Sequence, residues 1–286
     1  MSTVNGTRVR RRSGGEWLHD GLLVVVFLWC LAPFVWLILT SLKQGDAALN
    51  DPDLLQGPFG LGNYVAVLAQ DFALNMRNSF AVASMATLLS VSIGVMAAYA
   101  LARLPVRRRI ALMTGVLAAS LFPPVALVPP LYEAWRTFGL LNTYEGMYLA
   151  YVSFSLPLVI FIMSTFFAAI PRELEESAKI DGASALQAFA RVILPLAIPG
   201  VVSAMILTFV TAWNEYLLAS TFAPRNPEIA QTVPVAIATF TGAVEYQRPI
   251  GTITAASVLV TIPMIILALL LQRRIVAGLT AGAVKG

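Results

Sequence analysis

Charge is scarce in this sequence: 12% of its 286 residues are Asp, Glu, Lys or Arg, and 58% are hydrophobic. An ordinary soluble domain carries roughly 25% charged residues, so a water-facing globule is excluded and the chain belongs in a bilayer. Cysteine is nearly absent too. The single Cys30 lies in an apolar run, which excludes a disulfide framework and a cysteine-based metal site. The single histidine, His19, has no ligand partners near it and reads as an interfacial residue. A net charge of +4 is compatible with a nucleic-acid partner, but the arginines sit beside apolar runs and form no basic face. No nucleic acid and no metal are expected.

Six long uncharged runs are present: 21–42, 78–102, 110–132, 146–171, 192–214 and 249–272. Each is long enough to cross ~30 Å of hydrocarbon at ~20 residues per helix, which predicts six spanning helices. The first run has the basic flank of a secretory signal but is long and lacks a small-x-small cleavage site close behind it, so it reads as an uncleaved anchor. Six crossings place both termini on one side. That side holds Arg8, Arg10, Arg11 and Arg12, then Arg103, Arg107, Arg108 and Arg109, then Arg172, Lys179 and Arg191, then Arg273, Arg274 and Lys285. The other side holds only Lys43, Arg77, Arg136, Arg225 and Arg248. The basic residues choose the cytoplasm for the first set, termini included.

Residues 173–200 are the one long polar segment in this greasy chain. Pro171 suits a helix start, where its missing N–H is not needed, and Glu173, Glu175 and Glu176 complement the helix dipole in the first turns. Gly182 suits the left-handed residue that ends a helix, and Ser184 with Gln187 forms a capping box that opens a second one. Pro195 and Pro199 are expected to stop that second helix. The prediction is two short helices joined at a sharp glycine turn.

This stretch resembles the integral-membrane permease subunits of bacterial ATP-binding-cassette importers. Their signature is E-A-A, three residues, Gly, nine residues, a branched residue, x, L-P, matched here by Glu176-Ser177-Ala178, Gly182, Val192 and Leu194-Pro195. Asp181-Gly182-Ala183 and Pro199-Gly200 are similar to the carbohydrate-importing branch. Ser177 stands where the family usually has alanine and Val192 where it usually has isoleucine, both small changes. The last fifteen residues, from Gln272 to Gly286, are glycine-rich and basic and read as a frayed end on composition; they resemble the tail of maltose- and trehalose-type permeases, which inserts between the two ATPase subunits.

The resemblance implies an all-α polytopic membrane protein with six transmembrane helices and a cytoplasmic helix-turn-helix coupling loop. Its parts would be a disordered cytoplasmic N-terminus (1–15), a permease domain (16–272) with the loop at 171–200, and a cytoplasmic tail (273–286). Glu175, Glu176, Ser177, Ala178, Asp181, Gly182, Ala183 and Pro195 would couple to the ATPase, with Glu176 near a basic residue of its groove. The implied partners are two ATP-binding-cassette ATPase subunits, a homologous second permease, an extracytoplasmic sugar-binding protein or lipoprotein, and membrane lipids. In the sugar permeases the loop across Arg225 to Arg248 touches that binding protein. The chain would hold no cofactor and do no covalent chemistry, since ATP is bound by the partner subunits. The implied cargo is a sugar, a disaccharide such as trehalose or maltose.

Two intramembrane features stand apart from the loop. Pro123-Pro124 and Pro129-Pro130 cannot sit in a straight helix, so the third run is expected to break there. Freed backbone groups are tolerated in a membrane where protein or a water-filled cavity satisfies them, leaving a packed kink and a position on the translocation path both open. Trp213-Asn214-Glu215 falls well along the fifth run, where a carboxylate faces the bundle interior by default. Carboxylates and amides bind sugar hydroxyls and aromatics stack on sugar rings, so these residues suit a sugar path. A packing role, with Asn214 and Glu215 bonded to neighbouring helices, stands beside it.

Other classes fit less well. A stand-alone secondary transporter commonly shows internal repeats with matching helix breaks, and the doubled-proline break has no counterpart in the other half. A membrane enzyme using Glu175, Glu176 and Asp181 would need a pocket and a partner base or metal, and no His or Cys lies near. A DNA-binding helix-turn-helix is excluded by the acidic first helix and the flanking spans.

Overall fold

The computed structural model describes residues 14–44, 57–223, 230–240 and 249–283, and these are almost wholly helical. The N-terminal segment 1–13, the first outer loop over 45–56 and most of the Arg225 to Arg248 loop lie outside the described residues. In chain order the helices are α1 (Gly14–Leu42), α2 (Gly62–Leu68), α3 (Phe72–Arg103), α4 (Val106–Ser120), α5 (Pro124–Phe138) and α6 (Tyr144–Ala169). The polar segment follows as α7 (Arg172–Ile180), α8 (Ala185–Ala188), a π-helical stretch Phe189–Ile193 and α9 (Leu194–Leu196). Then come α10 (Ile198–Trp213), α11 (Leu217–Phe222), α12 (Val233–Thr239) and α13 (Ile250–Ala283).

Four helices, α1, α3, α6 and α13, are long and apolar enough to cross a membrane singly. Two further crossings are bent pairs: Arg107–Ser120 with Pro124–Phe138 at 83°, and Ala185–Leu196 with Ile198–Trp213 at 74°. With each bent pair taken as one span the count among the described residues is six, as the six apolar runs predict, and the third and fifth are not single rods. The third breaks at its first proline pair only. Pro123 caps α5 and Pro124 is its first residue, where a missing N–H is harmless; Pro129 and Pro130 lie inside α5. They forfeit bonds to the Val125 and Ala126 carbonyls without ending the helix. The last span also runs on past the expected end at Gln272 to Ala283.

The centre of the bundle is α3 against α6, with α10 laid across both. Gly94 lets the two backbones approach: a Cβ there would lie 2.5 Å from Val159 Cγ1. Around that contact sit Val91, Val95, Ala98, Met163, Phe167, Ile193 and Ala204. Toward the other end, Val82, Ala86, Met147, Tyr151, Phe209 and Trp213 form a second apolar cluster. That end is tied by neutral hydrogen bonds: Asn78 Nδ2 donates to Gln231 O (3.0 Å) and Val233 N–H to Ser79 Oγ (2.8 Å). Tyr144 O–H donates to Asn78 Oδ1 (2.5 Å). α1 packs along α13 and leaves most of its side chains exposed.

Candidate functional site

The polar segment begins as the sequence predicts. Pro171 caps α7 with φ −57° and ψ 140°, and Glu173 and Glu175 occupy its first turn. Arg172, Glu175 and Lys179, spaced three and four apart, lie along one face of the helix. That face meets the end of α3. Arg103 Nε lies 2.7 Å from Glu175 Oε2, Lys179 Nζ donates to Glu175 Oε1 (2.8 Å), and Arg172 Nη2 donates to Arg103 O (3.3 Å). The guanidinium also sits 5.4 Å from the centre of the Tyr99 ring. Arg103 Nε and Nη2 find no aligned acceptor, so the contact with Glu175 is a close ion pair and not a directed hydrogen bond.

Glu175, expected among the ATPase-coupling residues, is 8% exposed and turned inward. The reason is Arg103, whose charge at the α3 terminus draws the carboxylate in. Burial opposes ionisation of Glu175, but the hydrogen bonds from Lys179 and Tyr99 and the charge of Arg103 outweigh it, and its carboxyl is held below the ordinary glutamate pKa. Lys179 is raised by its hydrogen bond to Glu175.

The turn after α7 explains the alanines of the motif. Gly182 N–H donates to Lys179 O (3.1 Å) and Ala183 N–H to Ala178 O (3.0 Å), the paired bonds of a Schellman cap. Gly182 is left-handed at φ +89°, and a Cβ there would meet nothing within 4 Å, so backbone strain alone demands glycine. Ala178 and Ala183, both half-buried, are the two positions at which this cap makes its apolar contact. Glu176, Ser177 and Asp181 are exposed on the outer side of the turn. Beside them stand Ile180 at 86% and Leu186 at 72% exposure. Sequence reading passed over these two, although an apolar residue at the tip of a polar loop is itself a signal of a missing partner.

Ser184 opens α8 with the predicted capping box: Gln187 N–H donates to Ser184 Oγ (3.3 Å) and Ser184 N–H to Gln187 Oε1 (2.9 Å). The prolines do not stop this helix, against expectation. It widens into the π turn Phe189–Ile193 and resumes as α9, so Pro195 falls in the first turn of a new register, where its missing N–H is tolerated. Pro199 likewise starts α10 beyond the 74° bend. Phe189 on the π turn packs on Tyr99 (4.6 Å between ring centres) and Phe167 (6.2 Å), seating the segment on α3 and α6.

The intramembrane residues fall at the breaks. Pro123 and Pro124 are exposed at the 83° bend of the third span. Glu215 lies between α10 and α11, beyond the helix it was expected to extend, and its carboxylate caps α11 by accepting Leu218 N–H (2.8 Å) and Ala219 N–H (3.0 Å). Asn214 is exposed and donates through Nδ2 to Val210 O (2.8 Å). Trp213 is 2% exposed and stacked on Phe209, so its ring is part of the core. The structure thus brings Asn214 and Glu215 together at one break and separates Trp213 from them by burial. A recess of about 580 Å³ opens between α4 and α6, lined by Arg109, Met113, Thr114, Leu117, Phe161 and Ser164 among others. Among the described residues no cluster of His, Cys, Asp or Glu is placed to hold a metal.

A bundle of six spans, two of them broken, with a capped two-helix loop at one polar end defines a multi-pass transport component. The family described as "Binding-protein-dependent transport system inner membrane component" matches residues 90–280. The chain belongs to this family, the membrane permeases of ATP-binding-cassette importers, whose ATPase is a separate subunit. It is 43% identical over 276 residues to the trehalose transport system permease protein SugB of Mycobacterium tuberculosis (strain CDC 1551 / Oshkosh), covering 96% of this chain and 99% of that one. It is 41% identical over 266 residues to the trehalose/maltose transport system permease protein MalG of Thermococcus litoralis, covering 92% and 94%. A chain of a bacterial ABC transporter involved in alginate import shares the fold with a TM-score of 0.74 at 24% identity, over 95% of this chain and 99% of the other.

Proposed function

We propose that this chain is a permease subunit of a sugar importer, that residues 171–200 dock its ATPase from the cytoplasm, and that the cargo is a disaccharide of the trehalose or maltose kind. The observation that carries the docking role is the Schellman turn at Gly182, which holds Ile180 and Leu186 out on a polar loop with nothing among the described residues to cover them. Glu176, Ser177, Asp181 and Gly182 form the exposed side of that turn, Ala178 and Ala183 its apolar seat, and Pro195 the lead-in to α10. Both termini lie in the cytoplasm, in keeping with the arginines gathered at the loop end.

The chain encloses half of a path, and a second, homologous permease supplies the other half. The broken third span at Pro123 and Pro124 borders it, as breaks do where a cavity satisfies freed backbone groups. Asn214, exposed at the second break, contacts sugar; Glu215 fixes that break by capping α11, and Trp213 supports both from the core. An extracytoplasmic binding protein delivers the sugar, and closure of the ATPase dimer swings the loop and turns the path from inward-facing to outward-facing as a rigid-body motion. The names of the relatives support the choice of cargo.

The test is co-purification of the chain and its partner permease with the ATPase subunit, native against Glu176→Lys plus Gly182→Val. The native chain retains the ATPase and the variant loses it while staying monodisperse. A stable native chain that retains none overturns the reading. Uptake of labelled trehalose and maltose in proteoliposomes then separates the sugars, and a reporter fused after Gly286 reads cytoplasmic.

A further inference from the structure

We propose that Glu175 is a positioning residue, a strut that locks the docking helix α7 to the end of α3 so that the two move as one piece. Resting on the importer reading above, it concerns how the loop's motion enters the bundle. Besides the onward path of the chain through the Gly182 turn, α8 and the π turn to α10, two routes lead from α7 into the membrane. The covalent one runs through Ile170 and Pro171 to α6; both leave the helical region, with ψ 123° and 140°, and since Pro171 has no N–H, the bond from Ile170 N–H to Phe167 O (3.3 Å) is the one their N–H groups make to stiffen the hinge. A load on α7 alone would rotate the helix about that hinge.

The second route is the clamp on Arg103. Arg172 holds its carbonyl (3.3 Å) and Glu175 its guanidinium (2.7 Å), both from the start of α7, while Lys179 from the next turn holds the far oxygen of Glu175 (2.8 Å). Arg103 in turn lies on Tyr99, which packs on Phe167 and Phe189 (5.6 and 4.6 Å between ring centres). Those rings belong to α3, α6 and the π turn. The clamp therefore joins the loop to the most deeply packed pair of spans, α3 and α6, which meet at Gly94 and Val159. The side chains of Glu175 and Arg103 are 11% and 17% exposed, so a soluble partner can reach neither without unfolding the clamp. Docking is left to the opposite face, and transmission to this one.

The experiment uses the assembled transporter with its binding protein in proteoliposomes, reading sugar moved per ATP hydrolysed and retention of the ATPase subunit. Glu175→Gln and Arg103→Gln keep the ATPase subunit bound but lower the sugar-to-ATP ratio about fivefold or more, the lower end of a typical site-to-site coupling. The exchange Arg103→Glu with Glu175→Arg recovers most of the ratio. Where Arg103→Gln fails to assemble, Lys179→Gln, which removes the outer partner, gives the same uncoupling in milder form. Release of the ATPase by Glu175→Gln makes Glu175 a docking residue and overturns the proposal, as does an unchanged ratio or an exchange that recovers nothing. A native transporter with no ATP-driven uptake sinks the importer reading instead, whatever these variants do.

Discussion

The two ends of the bundle are held by opposite chemistry. At the loop end the fastening is ionic, Arg103 with Glu175 and Lys179, and keeps one foot in water. At the other end it is neutral and sealed: Asn78 bonds Gln231 O and Tyr144, and Ser79 bonds the Val233 N–H, with Asn78 and Ser79 both buried. A charge taken fully out of water costs several kcal/mol, whereas an amide whose bonds are all satisfied costs little. Charge is therefore used where water remains in reach, and amides where it does not. The ionic fastening is open to pH and salt; the neutral one is open only to loss of a partner.

This contrast can be broken most severely at the sealed end. Asn78→Ala removes the hydrogen bonds to Gln231 O and from the Tyr144 hydroxyl, and the thermal unfolding of the purified subunit is expected to show a loss of about 2–4 kcal/mol. Gly94→Ala, midway between the ends, forces a Cβ to 2.5 Å from Val159 and is expected to cost about 1–3 kcal/mol by the same measurement. At the loop end, Gly182→Ala puts a side chain into the left-handed region and costs about 1–2 kcal/mol of local stability, seen as faster amide exchange at Gly182 and Ala183. Ser184→Ala removes the α8 cap for about 1 kcal/mol, read the same way at Gln187.

The smallest effect is the pH response, and it sharpens the comparison. The Glu175 carboxyl, facing Arg103 and Tyr99 from α3 and Lys179 from its own helix, has a folded pKa below its unfolded one. Its contribution is complete above the ordinary glutamate pKa of about 4.3 and is lost as pH falls through the lower folded value. Acid titration is expected to raise exchange in α7 well before it touches α12, and Glu175→Gln is expected to remove that difference. Equal responses at both ends would erase the distinction.

The legible parts of the site were those whose contacts are local. The glycine turn, the Ser184–Gln187 box and the acidic first turn each close within a few residues, so spacing alone specifies them. The six apolar runs were equally plain. The Arg103–Glu175 pair was not, because its partners lie on different elements and each alone reads as a solvated charge. The Asn78–Gln231 bond spans 153 positions and leaves no periodic trace. The prolines misled in a different way. Pro195, Pro129 and Pro130 each break a rule of helix interiors, but a π turn for the first, and helix continued on the bonds that remain for the others, allow them. The identity of Glu215 as a cap was hidden because the break it caps has no glycine or proline to announce it.

The pairing of α1 with α13 has a consequence for how the protein is made. α1 finds its main helical partner in α13, roughly two hundred residues later in the chain, and from Leu22 to Ile38 its surface is largely bare, while the family match itself starts only at residue 90. Contacts so far apart in sequence close late, since synthesis proceeds from the N-terminus. This span must therefore wait in lipid, tied only at its end through Ser41 and Lys43 to Tyr64 and Asn63 at α2, until residues beyond 249 have entered the membrane. Cys30, the one thiol in the chain, stays exposed on that helix even once the pair has formed, so its labelling reports insertion of the span and not its pairing.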